Sequence, residues 1–279
     1  MHAKQVIIFI ALIATLKILA SEVKIAAFNV QVFGKSKMRK PDVVECLLKI
    51  MHRYDLIAIQ EIRDASQQAI KELLKKFNKK FQKNFELILS SRQGRTASKE
   101  QIGVIYDPKV LDIVRTWEYT DYKDLLERSP YSLNIAPKDE SIPKFNLIIL
   151  HADPDDVVQE LNALYDAAIE VEDIWTSEKT IIMGDMNADC QYLPKSKIPS
   201  VKLLSTQDWL VPIQRGYDTT IGQRNCAYDR FFLHGNIQDY IKKGSIKAFN
   251  FMNDYHLPMK LAKRVSDHFP IELVLTGKA

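Results

Sequence analysis

Several stretches of the chain are largely apolar and end on a polar side chain: Val23-Lys24-Ile25-Ala26-Ala27-Phe28-Asn29-Val30, Asp55-Leu56-Ile57-Ala58-Ile59-Gln60-Glu61, Phe145 to His151, and Thr180-Ile181-Ile182-Met183-Gly184-Asp185. Short continuous apolar runs of this kind predict strands buried on both faces. Between them the period changes. Apolar residues recur every three or four positions over 40–53, 66–79 and 155–175, the last with Val157, Leu161, Leu164, Ala168, Val171 and Trp175 on one face, and this predicts helices. Shorter strands are predicted near 85–90, 101–106, 226–233 and 269–275. Strands buried on both faces need helices outside and a sheet-to-sheet contact inside, so the pattern predicts an α/β sandwich with its functional groups at one rim of the strands.

No repeat, low-complexity tract or Gly/Ser-rich linker divides the 279 residues, which reads as one domain over 22–279. Residues 1–21 stand apart: Lys4, an apolar run from Val6 to Leu16, then Ala20 and Ser21 have the layout of a secretory signal peptide. The run is shorter than the roughly 20 residues that span a bilayer, which makes an uncleaved anchor the weaker alternative. No second long apolar run follows, so the expectation is a soluble secreted protein with no membrane partner.

The net charge of +4 falls to +2 without Lys4 and Lys17, too little to draw a polyanion by itself, so any such attraction must be local. The lysines at 71, 75, 76, 79, 80 and 83 read as a solvated helix face. Cys46, with Val43, Leu47 and Ile50 on one helix face, reads as a buried free thiol. Cys190 and Cys226 either pair in an oxidising compartment or remain free.

The polar residues at the strand ends supply the chemistry. A carboxylate such as Glu61 at the end of a buried strand is costly unless a cation or hydrogen bonds offset it, and Mg2+ takes one or two such carboxylates; Asn29 is expected beside it as support. His151 and His268 are the candidate proton carriers, with Glu100 and Asp229 available to fix their tautomers. Asp185 and Asn187 sit on a tight turn, where the acid can orient water and the amide can donate to a phosphoryl oxygen. Arg63 and Arg128 are candidates for bidentate phosphate contacts. Each of these has a plain structural alternative, a turn cap or a surface ion pair, and it is their company that favours chemistry.

Lys24-Ile25-Ala26-Ala27-Phe28-Asn29, Gln60-Glu61-Ile62-Arg63-Asp64, Lys99-Glu100-Gln101, Leu161-Asn162-Ala163-Leu164-Tyr165-Asp166, Gly184-Asp185-Met186-Asn187-Ala188-Asp189-Cys190, Asn225-Cys226-Ala227-Tyr228-Asp229-Arg230 and Ser266-Asp267-His268-Phe269-Pro270, in this order, resemble the deoxyribonuclease I family. The resemblance implies a four-layer α/β/β/α sandwich with two packed mixed sheets. It also implies a secreted, metal-dependent endonuclease that leaves 5′-phosphate and 3′-hydroxyl ends on DNA. Carried over by position, Glu100 with His151 and Asp229 with His268 resemble the catalytic pairs, together with Asp185. Asn29, Arg63, Arg95, Arg128, Asn187 and Tyr228 resemble substrate contacts, and Glu61 and Asp267 the Mg2+ (or Mn2+) ligands. A Cys190–Cys226 disulfide has its counterpart in the family. The implied partner is DNA, gripped by backbone and minor groove with little sequence specificity, and the implied state is a monomer that is extracellular, or periplasmic if bacterial.

The departures are specific to this chain. Ser98 stands where the family has a tyrosine, Gln31 replaces an arginine, and no cysteine occurs between 101 and 126 for the family's second disulfide. Asp218 and Thr220 match a calcium loop in which Gly222 and Arg224 replace hydroxyl residues, leaving a structural Ca2+ open. Actin binding is equally open, since Leu87, Ile88 and Leu89 are apolar like the family's contact strand and would also suit a core. Rival readings are a phosphodiesterase of the same fold acting on a phospholipid or inositol phosphate, and a non-catalytic binding or toxin subunit. The full set of acids and imidazoles disfavours a pure binder.

Overall fold

The computed structural model describes residues 22–278; the signal peptide read in residues 1–21 lies outside them. The strands are β1 (Glu22–Phe33), β2 (Leu56–Ile62), β3 (Glu86–Leu89), β4 (Gln101–Tyr106), β5 (Leu111–Glu118), β6 (Tyr131–Pro137), β7 (Phe145–Ile149), β8 (Thr180–Asp185), β9 (Asp229–His234), β10 (Lys247–Ala248) and β11 (Ile271–Thr276). They form two mixed sheets, ordered β10-β11-β1-β2-β4-β3 and β5-β6-β7-β8-β9. Helices α1 (Lys35–Met38), α2 (Pro41–Met51) and α3 (Gln68–Phe81) belong to the first sheet's side, and α4 (Val157–Trp175) covers the second. Proline at the first position of α2 loses nothing, since its missing N–H would have no helical partner there.

The layers follow from the pleat. On β1, Ala26, Phe28 and Val30 join α2 and α3 in an outer core, while Val23, Ile25 and Ala27 face the other sheet. On β8, Ile181 and Met183 point between the sheets and Ile182 packs with Val157, Leu161 and Leu164 of α4. Three apolar layers between four structural ones make the α/β/β/α sandwich.

Strands β5 and β6 are absent from the sequence expectation, and the 226–233 strand begins only at Asp229. β5 is an edge strand with much of its length exposed, and β6 carries Ser132 and Asn134, so neither has a continuous apolar run. Cys190 and Cys226 form a disulfide across a separation of 36 residues. On the chain-entropy model a loop of that size contributes about 4 kcal/mol. Cys46 is buried and free. No helix among the described residues is long and apolar enough to cross a membrane.

Candidate active site

Parallel pairing of β1 with β2 and of β7 with β8, and antiparallel pairing of β11 with β1, β4 with β2 and β9 with β8, decide where the polar residues go. The carboxyl ends of β1, β2, β7 and β8 meet the amino ends of β4, β9 and β11 at one rim. There the ladders break: register shifts lie between Asn29 and Phe33 on β1 and between Ile59 and Ile62 on β2. Gln31, Val32, Glu61 and Asn187 all adopt positive φ, of 45°, 54°, 60° and 49°. Bulges and left-handed residues of this kind re-aim side chains and cluster where function needs them.

Gly184 has φ of 138°, and a Cβ there would sit 2.2 Å from the Leu150 carbonyl oxygen. Glycine therefore lets β8 pass against the segment after β7 and brings Asp185 beside His151. The Nδ1 of His151 lies 2.5 Å from Glu100 Oε1, and that of His268 lies 2.8 Å from Asp229 Oδ2. With each ring pinned at Nδ1, both free Nε2 atoms face one oxygen, Asp185 Oδ2, at 3.7 Å and 3.4 Å. Asn29, Glu61, Arg63, Arg128, His151, Asp185, Asn187 and His268 line a single cleft.

The sequence expectation put Asn29 in support of Glu61; the structure corrects this. Asn29 continues the face of Val23, Ile25 and Ala27, which points at the second sheet, so its Nδ2 donates to Asp185 Oδ2 at 3.0 Å. Glu61 instead accepts the Val32 N–H at 2.9 Å and pairs with Arg63 at 3.0 Å. Arg128 Nε donates to the His151 carbonyl at 2.8 Å and lies 3.4 Å from Glu100. Asn187 Nδ2 donates to the Ala152 carbonyl at 2.9 Å, leaving its second N–H.

Burial works against charge on both imidazoles, Glu100, Asp185 and Asp229; on the first four attraction wins, whereas on Asp229 burial wins over the pull of His268 and pushes the carboxyl up to about 6. His151 is raised above the ordinary imidazole value because Glu100 and Asp185 outweigh its desolvation. His268 is raised well above it by Asp229 and Asp185 against the same penalty. Glu100 and Asp185 are lowered, Glu100 by His151, Arg128 and Arg63, Asp185 by the two imidazoles and Asn29, in each case despite burial.

Other expected site residues lie outside the cleft. Arg95 is tied to Asp124 and Glu127 on an exposed loop. Thr220, Tyr228 and Asp267 line an adjoining depression that shares His268. Asp218 accepts the Thr220 N–H within its own turn. A separate cavity, lined by Glu172, Asp173 and His234, sits at the opposite ends of β8 and β9 and takes no part in this geometry.

Sequence reasoning missed the residues that hold the loops. Gln60 joins the sheets, donating to the Leu150 carbonyl at 2.7 Å and accepting the Asp185 N–H at 3.2 Å. Ser266 donates to the Asn29 carbonyl at 2.6 Å and accepts the His268 N–H at 3.0 Å. Buried Arg230 donates to the carbonyls of Ala188, Ala227 and Ile213, clamping the loops around Asp185 and Asp229.

Glu160, 1% exposed on α4, accepts the N–H of Glu127 at 2.6 Å and of Asp153 at 2.8 Å, joining the segments that carry Arg128 and His151. The available signal was a carboxylate on the apolar face of α4, one turn before Leu164. Burial raises it from 4.5 to about 7, against those hydrogen bonds. The folded state thus favours the neutral acid, so this contribution is fully present below pH 4.5 and lost as pH rises through about 7. The shift corresponds to roughly 3 kcal/mol. Urea denaturation of Glu160→Gln at several pH values should lack that decline; an unchanged slope would assign it to other groups.

The Endonuclease/Exonuclease/phosphatase family matches residues 26–268. Deoxyribonuclease-1 of Bos taurus is 33% identical over 266 residues, covering 92% of this chain and 94% of that protein. Deoxyribonuclease-1-like 2 of Mus musculus is 34% identical over 257 residues, covering 91% and 92%. Among solved structures, that of D. rerio TDP2 complexed with single strand DNA product superposes with a TM-score of 0.63 at 12% identity, over 91% of this chain and 98% of that one, and speaks to the fold alone. The chain therefore belongs to the endonuclease/exonuclease/phosphatase family, as a deoxyribonuclease I-like member.

Proposed function

We propose that this protein is a secreted endonuclease that hydrolyses DNA phosphodiesters, with Mg2+ or Mn2+, to 5′-phosphate and 3′-hydroxyl ends. The observation that carries the reading is the convergence of two carboxylate-pinned imidazoles on Asp185 in the cleft that Glu61 lines. The disulfide supports an oxidising compartment.

The cleft suits a divalent cation. The carboxylates that line it, Glu61, Glu127, Asp153 and Asp185, outnumber the guanidiniums of Arg63 and Arg128, and Oε2 of Glu100, which pairs with His151, is buried without a hydrogen-bond partner. Asp185, Asp229 and His268 offer ligand atoms within 4.8 Å of one another. In that group Asp229 is already hydrogen-bonded to His268 and Asp185 to Asn29, though, which suits them to proton handling, and we assign the ion to Glu61 with Asp267. When bound, the cation supplies positive charge that offsets the growing charge on the phosphoryl oxygens.

The protein's own groups do the rest. The neutral Nε2 of one imidazole takes a proton from water as its oxygen attacks phosphorus in line. The bond to the 3′ oxygen breaks, and the protonated Nε2 of the other imidazole gives that oxygen its proton. Glu100 and Asp229 hold the rings in the tautomers that leave Nε2 free, and Asp185 stabilises whichever imidazole is charged. Arg128, and the free N–H groups of Asn29 and Asn187, are positioned to donate to the phosphate.

Supercoiled plasmid incubated with the protein should be nicked with Mg2+ and left intact with a chelator. The rate should fall with salt as phosphate contacts release counterions. Intact plasmid in Mg2+ together with hydrolysis of a lipid phosphodiester would replace this reading.

A further inference from the structure

Lys37, only 6% exposed, is a buried cation that the proposed chemistry does not use. Its Nζ donates to three carbonyls: Val30 at 2.5 Å, Gln31 at 2.7 Å and Val265 at 2.7 Å. The first two belong to the bulge at the end of β1; the third lies two residues before Asp267. The bulge is strained. Val32 has φ of 54°, which a β-branched residue adopts only when its surroundings impose it, and its side chain is 53% exposed, so packing does not impose it. What holds the bulge is polar: Lys37 on its carbonyls, Asn29 Oδ1 on the Gln31 N–H at 2.9 Å, and Glu61 Oε2 on the Val32 N–H at 2.9 Å. The last of these orients the Glu61 carboxylate.

We propose that Lys37 is a positioning residue for the cation site, fixing the Gln31–Val32 bulge against Glu61 and locking it in register with the segment that leads to Asp267. It touches neither DNA nor the ion. Its ammonium ties together two chain segments distant in sequence, one that holds the Glu61 carboxylate through the Val32 N–H and one that carries Asp267, the two carboxylates assigned to the cation. Burial, and then the charge of Lys40, lower its pKa to about 8, so it is still mostly protonated at neutral pH and can supply all three donors. The proposal rests on the reading of Glu61 and Asp267 as cation ligands.

The test is calorimetric titration of Mg2+ into the folded, DNA-free protein, for wild type, Lys37→Met, Lys37→Met/Val32→Gly and Glu61→Gln. Melting in chelator is followed in parallel. Lys37→Met should weaken Mg2+ binding about tenfold or more, the loss typical when a residue supporting a metal ligand is removed. Glycine takes the bulge φ without strain, so Val32→Gly in that background should restore part of the affinity. A purely structural lysine would lower the melting temperature and leave Mg2+ affinity unchanged, which overturns the proposal. A loss of affinity that Val32→Gly does not relieve also overturns it, because the bulge is then not what Lys37 holds. Wild-type affinity in Glu61→Gln sinks the ligand assignment and the proposal together, whereas weak binding there with normal binding in Lys37→Met sinks the proposal alone. Should Lys37→Met fail to fold, Lys37→Gln, which keeps an amide donor, carries the same comparison.

Discussion

Replacing His268 or His151 by alanine should reduce plasmid cleavage at least about a thousandfold, within the range expected for loss of an acid–base group. Each ring has one nitrogen committed to a buried carboxylate and the other aimed at Asp185 Oδ2, so no neighbouring side chain can take over its proton. His268→Ala also leaves Asp229, fully buried and with Oδ1 already unpartnered, facing Asp185 without a cation between them. Breaking a buried pair in this way costs about 3–5 kcal/mol, so a folding defect could imitate a catalytic one. His268→Gln, whose amide can still donate to Asp229, separates the two: it should fold and remain inactive. Near-normal nicking by either pure, folded alanine variant would remove that histidine from the mechanism.

Glu61→Gln should raise the Mg2+ concentration for half-maximal cleavage by about a hundredfold, the upper end of what even supporting residues of metal sites cost. The amide keeps the shape of the side chain and an acceptor for the Val32 N–H, but removes the charge that a hard cation requires. It also frees Arg63, which in the native cleft lies 3.0 Å from Glu61 and 3.7 Å from Glu100, to turn wholly to Glu100. The measurement is plasmid nicking against Mg2+ at fixed ionic strength. An unchanged half-maximal concentration would move the cation to the Asp185, Asp229 and His268 group.

How much of this could be read from the chain depends on how local the signal is. β1, β2, β7 and β8 announce themselves because central strands of a four-layer sandwich are apolar on both faces, and the polar residues that end their apolar runs, Asn29, Glu61, His151 and Asp185, follow directly. β5 does not, because its edge position tolerates Arg115, Thr116 and other polar residues, and interior β6 does not because Ser132 and Asn134 break its apolar run. The imidazole–carboxylate pairs were legible through family resemblance, since 51 and 39 residues separate the partners and no spacing rule links them. Lys37, Glu160 and Arg230 escaped because they serve backbone atoms of distant loops. Their fitness lies in carbonyls and amides that every residue carries, which leaves no trace in the pattern of side chains.

The place of β11 in the first sheet, between β1 and β10, has a consequence for how the protein is made. The last strand among the described residues is an interior one, and His268 stands three residues before it. Until β11 has been made, the folding chain lacks an interior strand of the first sheet and one of the two imidazoles of the candidate site. The proposed site can therefore assemble only after β11 has been made, so the proposed cleavage would begin late in synthesis.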